Sequence, residues 1–188
     1  MKKIIWILVI FVVVATGVFG YTVIWDMFDD KASDESSNNE GKPRAGENRE
    51  EISGTVTVEE MAAYEEEGKN PFGEAIAAGE LTDSDFQEYI HRMSHQKVKA
   101  AEKWGTFYEI NPTRIGWLLV GLDKASDLEH KQTYATILKK WEQGDFSSAD
   151  EDHNAVWSLQ GGTVGKATGI LSEEEEKAYI EKENNRNK

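Results

Sequence analysis

Residues 4–25, IIWILVIFVVVATGVFGYTVIW, contain no charged side chain. As a helix this run is about 33 Å long, enough to cross a hydrocarbon core of roughly 30 Å. Trp6 and Trp25 stand near its ends, where amphipathic rings favour the membrane–water boundary. The apolar core of a cleaved signal is typically about 7–15 residues and ends at a small-x-small site. This run is longer, so the pattern predicts an uncleaved transmembrane anchor. Lys2 and Lys3 precede it, and Asp26, Asp29 and Asp30 follow it. Positive charge stays on the cytoplasmic side, so residues 1–3 are expected inside and the bulk of the chain outside the cell membrane.

After the anchor the pattern changes twice. Residues 26–54 are rich in Asp, Glu, Ser, Asn and Gly and nearly devoid of apolar residues after Phe28. Such a segment buries too little surface to offset its ordering entropy, and an acidic disordered linker is expected. From 55 to 183 apolar residues recur at helical spacing, and the last residues, 184–188, read as a disordered tail. Phe86, Tyr89, Ile90 and Met93 form one stripe, Ile115, Leu118, Leu119 and Leu122 a second, and Tyr134, Ile137, Leu138 and Trp141 a third. Val156, Trp157 and Leu159 supply part of a fourth.

Capping chemistry punctuates these stripes. Thr57 with Glu60, Thr82 with Asp85, Ser126 with Glu129, Ser148 with Glu151 and Ser172 with Glu175 each predict a helix start. Asn111 before Pro112 predicts another. GTFYEI at 105–110 reads as a short strand or a loop. The expected fold class is an all-α, compact domain of five or six short helices behind a single N-terminal transmembrane helix. Trp104, Trp117, Trp141 and Trp157 are expected in its core.

Charge then narrows the partners. All 35 acids but only 19 of the 21 bases follow the anchor, a net −16. Nucleic acid is excluded as a partner, since such binding rests on phosphate neutralisation. Docking on anionic lipid or cell wall is disfavoured for the same reason. The expected partners are the membrane, through residues 4–25, and another envelope protein. The chain has no cysteine, so no lipoprotein anchor or disulfide supports it and stability must come from the core.

The stretch LQGGTVGKATGIL, 159–171, has the look of a phosphate loop. A P-loop is G-x-x-x-x-G-K-[ST] between a buried strand and a helix. Here three residues separate Gly161 from Gly165, Ala167 stands where the metal-binding hydroxyl belongs, and a helical pattern precedes. A nucleotide is therefore not expected. Gly161 and Gly162 read as a helix C-cap of positive φ, and Gly165 and Gly169 as tight turns or points of close backbone approach.

HRMSH, 91–95, has the i, i+4 histidine spacing of a zincin, but Arg92 replaces the glutamate that would act as base. Glu88, His91 and His95 share one helical face. With His153 they are the candidates for a metal site; the default reading is a solvated polar face, with His95 at the contact with a neighbouring helix. DFSSADEDH, 145–153, lacks the glycine and the terminal glutamate of an EF-hand, and its acids suit a helix N-terminus. One turn apart, His153 and Trp157 can stack. No G-x-S-x-G elbow is present and no cysteine nucleophile is possible. No catalytic residue and no cofactor are assigned.

The strings MSHQKVKAAEKWG (93–105), RIGWLLVGLD (114–123) and DHNAVWSLQGGTVGKATGILSEEEE (152–176) resemble an uncharacterised family of Gram-positive, Bacillus-type bacteria. Its members are short, membrane-anchored proteins classed as a domain of unknown function. The resemblance spans roughly Leu81–Ile180 and implies an anchor, a tether and an exported domain; it implies no activity. The expected function is a protein-interaction or envelope accessory module. The alternative is a metal-binding or hydrolytic envelope domain built on the histidine/carboxylate cluster.

Overall fold

The computed structural model describes residues 54–105 and 107–186. The expected anchor and most of the expected linker lie outside the described residues. Among the described residues no helix is long and apolar enough to cross a membrane.

The described residues form six α-helices in order: α1 (Val58–Glu66), α2 (Asp83–Ser94), α3 (Pro112–Lys124), α4 (Lys131–Glu142), α5 (Ala149–Leu159) and α6 (Glu173–Arg186). A 3₁₀ turn, Ala78–Glu80, precedes α2. Two two-residue strands, β1 (Val98–Lys99) and β2 (Gly169–Ile170), pair antiparallel with Val98 opposite Ile170. The described chain is thus mostly helical. The last helix runs on to Arg186, past the point at which the sequence suggests a tail, and Asn184 bonds to Thr55 through both side-chain amide atoms.

The helix starts show where local chemistry decides and where it is overruled. Thr57 and Thr82 form the expected capping boxes with Glu60 and Asp85, and Asn111 caps α3 with Pro112 in the first turn. Ser172 and Glu175 exchange the same pair of bonds ahead of α6. At α4 the expected Ser126–Glu129 box is absent. Ser126 bonds Asp127, and the helix begins only at Lys131. The N–H groups just ahead of it, those of Glu129 and His130, donate to the carboxylate of Asp83 on α2, at 2.9 and 3.0 Å. A tertiary carboxylate thus holds the segment that enters the helix, and no side chain caps its first turn. At α5 Ser148 makes no cap bond, because its hydroxyl accepts from Lys140 Nζ.

The three predicted stripes meet in one core. Phe86, Tyr89, Ile90 and Met93 of α2 pack with Ile115, Trp117, Leu118 and Leu122 of α3 and with Tyr134, Ile137, Leu138 and Trp141 of α4. Phe72 stacks on Tyr89 at 3.9 Å between ring centroids and meets Tyr108 edge-on. Gly121, inside α3, explains how the 3₁₀ turn comes so close. A Cβ there would stand 2.6 Å from Leu81 Cδ1 and 3.3 Å from the Ala78 carbonyl oxygen.

Two of the four expected core tryptophans need correction. Trp117 and Trp141 are buried, but Trp104 is 66% exposed and Trp157 is half-buried. Trp104 sits in the irregular segment between β1 and α3, flanked by Lys103 and Gly105, so no helical stripe carries it inward. Ile170 is also at the surface and contributes its backbone to the strand pair.

Candidate metal centre

Helix α2 packs chiefly against α5, and the face that carries Glu88, His91 and His95 is part of that interface. The expected solvated face is therefore largely covered. His95 is 0% exposed and His153 1%. One residue before His153, the buried Asp152 receives Trp141 Nε1 at 3.0 Å and Lys140 Nζ at 2.6 Å. This bracing of α5 on α4 sets the rotation that turns His153 toward α2.

The result is a cluster of three imidazoles. Ring centroids lie 4.9 Å apart for His91–His95, 4.6 Å for His91–His153 and 5.9 Å for His95–His153. One nitrogen of each ring falls within 4.8 Å of the others. The rings are oriented from behind. His91 Nδ1 lies 2.6 Å from Gln160 Oε1, and Gln160 Nε2 donates to Glu88 Oε2 at 3.3 Å. The amide is thereby fixed with its oxygen toward the ring, so His91 carries its proton on Nδ1 and presents a bare Nε2. His153 follows the same logic. Asn154 is locked by a two-way pairing with the backbone of Ala167, and its Oδ1 lies 3.2 Å from His153 Nδ1. His153 Nε2 is left bare as well.

His95 differs from both. Among the described residues neither of its ring nitrogens has a hydrogen-bond partner, although the side chain is fully enclosed. A buried unsatisfied polar group costs about 1–3 kcal/mol, so such an arrangement calls for a ligand or a role.

Glu88 is not one of the clustered ligands. Its carboxylate pairs with Arg92 one turn on and receives Gln160, which places it behind His91. The expected stacking of His153 on Trp157 gives way to the contact with His91 and His95. The glycine stretch, by contrast, belongs to the site. Together with His91, Glu102, Trp104, Trp157 and Gln160, residues 161–165 line a cleft of about 260 Å³. Gly161 has the expected positive φ, 69°, and Gly165 turns the chain at 85°. Gly162 does not have a positive φ. It is required for another reason, since a Cβ there would lie 2.3 Å from the Trp157 indole. Trp157 Nε1 in turn donates to the Val164 carbonyl at 2.7 Å.

Burial is the largest influence on all three rings and disfavours their charged forms. It lowers the His91 pKa, takes His95 well below its ordinary value of 6.5 and brings His153 down to about 4. The neighbouring imidazoles push His95 and His153 further the same way. The unfolded chain therefore takes up protons that the folded cluster refuses, and stability present above pH 6.5 is lost as pH falls toward 4. In the metal-free protein the urea midpoint is expected to drop already between about pH 6.5 and 5, before most carboxylates titrate. A flat midpoint over that interval would contradict the burial of the cluster.

The three histidines fall inside one recognisable unit. Residues 90–181 carry a DUF6241 domain. It is described as a family of unknown function. The match takes in the C-terminal end of α2, all of α3, α4 and α5, both strands and most of α6. Neither the curated proteins nor the solved structures provide a match to the chain. The DUF6241 domain therefore brings a boundary, and the chemistry has to be argued from its side chains.

The spacing HRMSH displays two of the clustered histidines, and His153 has no local partner in the sequence to reveal its place. Gln160 and Asn154 give no signal at all from spacing. Packing of α2 on α5 joins Gln160 to His91, and the pairing with Ala167 turns Asn154 to His153.

Proposed function

We propose that the DUF6241 domain holds a single transition-metal ion, most simply Zn²⁺, on the Nε2 atoms of His91 and His153 and one nitrogen of His95. The observation that carries this reading is His95, enclosed with both ring nitrogens unpartnered among the described residues, beside two imidazoles that each bring one nitrogen within 4.8 Å. Imidazole nitrogens suit Zn²⁺, Cu²⁺ and Ni²⁺, whereas Mg²⁺ and Ca²⁺ prefer oxygen. Tetrahedral ligands at a Zn–N distance of about 2.0–2.1 Å stand roughly 3.4 Å apart, so modest ring rotations close the set. Three neutral ligands leave a fourth position for water or an exogenous group, the pattern of a reactive rather than a purely structural site.

We place this centre in a single-pass membrane protein of the Gram-positive type, with residues 4–25 as anchor and the helical domain outside the cell. An accessory or interaction role in the envelope is the setting in which the centre would act. The residue pattern of the anchor and the acidic composition beyond it support that placement.

Metal analysis of the full-length protein tests the reading. Purified after growth with trace zinc, the wild type is expected to hold close to one equivalent per chain. His91→Ala and His153→Ala are each expected to retain less than a tenth of that. A wild type with no metal, which also fails to take up Zn²⁺, Cu²⁺ or Ni²⁺ on dialysis, would remove it.

A further inference from the structure

The three imidazoles are not held in the same way. Gln160 fixes the His91 ring and Asn154 the His153 ring. No hydrogen bond among the described residues holds the His95 ring, so its position depends on packing and on its own main chain. His95 is the C-cap of α2, where carbonyls find no partner within the helix. Its carbonyl accepts instead from Lys103 Nζ at 2.7 Å, a charge-assisted bond.

Lys103 is itself held from α6. Its ammonium stands 3.7 Å from the centroid of the Tyr179 ring, and Phe107 meets the same ring edge-on at 5.5 Å. One turn back on α6, Glu176 Oε1 receives Gln96 Nε2 and Lys97 Nζ, both at 2.7 Å. Gln96 is buried and its Oε1 accepts the Ile110 N–H at 2.9 Å. The turn that begins at His95 is therefore gripped by α6 through Tyr179 and through Glu176.

The grip is polar. Of α6 only Glu183 is buried. The helix is also tied by Glu175 to Lys99, a half-exposed ion pair at 2.8 Å. Such pairs contribute little and are screened by salt, so α6 belongs to the parts of the fold that open first.

We infer that α6 is a strap on the metal centre, with Lys103 as the positioning residue that carries its docking to His95. Undocked, α6 takes Tyr179 away from Lys103, the His95 carbonyl loses its fixed donor, and the one ligand without a hydrogen bond to its ring drifts from the other two. The inference rests on the metal reading above. Linkage makes it reciprocal: what docking adds to metal affinity, the metal adds to docking.

Hydrogen exchange of the full-length protein, read with and without saturating zinc, tests it, together with zinc affinity measured against a chelating dye. Zinc is expected to slow exchange of the Glu173–Arg186 amides about fivefold or more in the wild type, and less than about twofold in Lys103→Met loaded at higher zinc. The amides of α1, which buries none of its residues, are the internal comparison and should not respond. Lys103→Met and Tyr179→Ala should each weaken zinc about tenfold and the double variant about as much as either alone. Lys103→Arg, which keeps a donor and a cation at the ring, should restore affinity to within about twofold of the wild type. A wild type that binds zinc while α6 exchanges at an unchanged rate, or while α1 responds equally, overturns the inference and leaves the metal centre standing. So does Tyr179→Ala with wild-type affinity, or a double variant in which the two losses multiply. If Lys103→Met does not fold, wild-type exchange and Tyr179→Ala still decide. A wild type without metal overturns the metal reading, and this inference with it.

Discussion

Zinc added to the metal-free full-length protein raises the melting temperature of the helical domain by about 10 °C. A ligand at 1,000 times its dissociation constant stabilises the folded state by about 4 kcal/mol, and each kcal/mol shifts the midpoint by roughly 2–4 °C for a chain of this size. The geometry favours such linkage. The ligands come from two helices, α2 and α5, that are far apart in sequence, so the unfolded chain cannot assemble them. Tryptophan fluorescence follows the transition, since Trp141 lies at the α4–α5 contact through its bond to Asp152. His91→Ala and His153→Ala are expected to melt with a shift of less than about 2 °C on zinc addition, because two imidazoles bind too weakly to saturate at the same concentration. Magnesium should move neither the wild type nor the variants. A wild-type midpoint indifferent to zinc, copper and nickel would count against the centre.

The contrast between α2 and the site shows what a sequence makes legible. The stripe Phe86, Tyr89, Ile90 and Met93 is periodic, so its burial can be read from spacing, and all four side chains are buried. The opposite face of the same helix is polar, and polarity on a helix ordinarily means solvent. Here it is covered by α5, whose rotation is set by Asp152 holding Trp141 and Lys140, residues on a third element. Nothing local encodes that arrangement. Strands β1 and β2 escape notice because two residues carry no alternation to detect. The start of α4 illustrates the same limit. Ser126 and Glu129 have capping-box spacing, yet the nearby Asp83 carboxylate, also bonded to Tyr134 Oη at 2.7 Å, takes the N–H groups just ahead of the helix. Trp104 fails as a core residue because an aromatic side chain in a loop has no periodicity to assign it a side. It acquires meaning only beside Trp157 and the glycine loop.

His95→Leu should divide stability from function. Both ring nitrogens of His95 are enclosed and without a partner among the described residues, so in the metal-free chain the imidazole is a net burden. Leucine removes the unsatisfied groups, keeps a side chain of similar bulk and fills the same space with apolar contacts. Relief of about 1–3 kcal/mol is expected, seen as a higher urea midpoint with an unchanged denaturant slope. The same variant loses a ligand from the centre of the cluster and should bind less than a tenth of the wild-type zinc. A histidine kept for packing would behave in the opposite way, with a destabilised leucine variant and an unaltered zinc response. A residue whose removal strengthens the fold and abolishes metal binding has a cost in the empty protein that only the ion offsets. Finding both effects in one substitution would tie the orphaned nitrogens to a ligand more directly than activity measurements could.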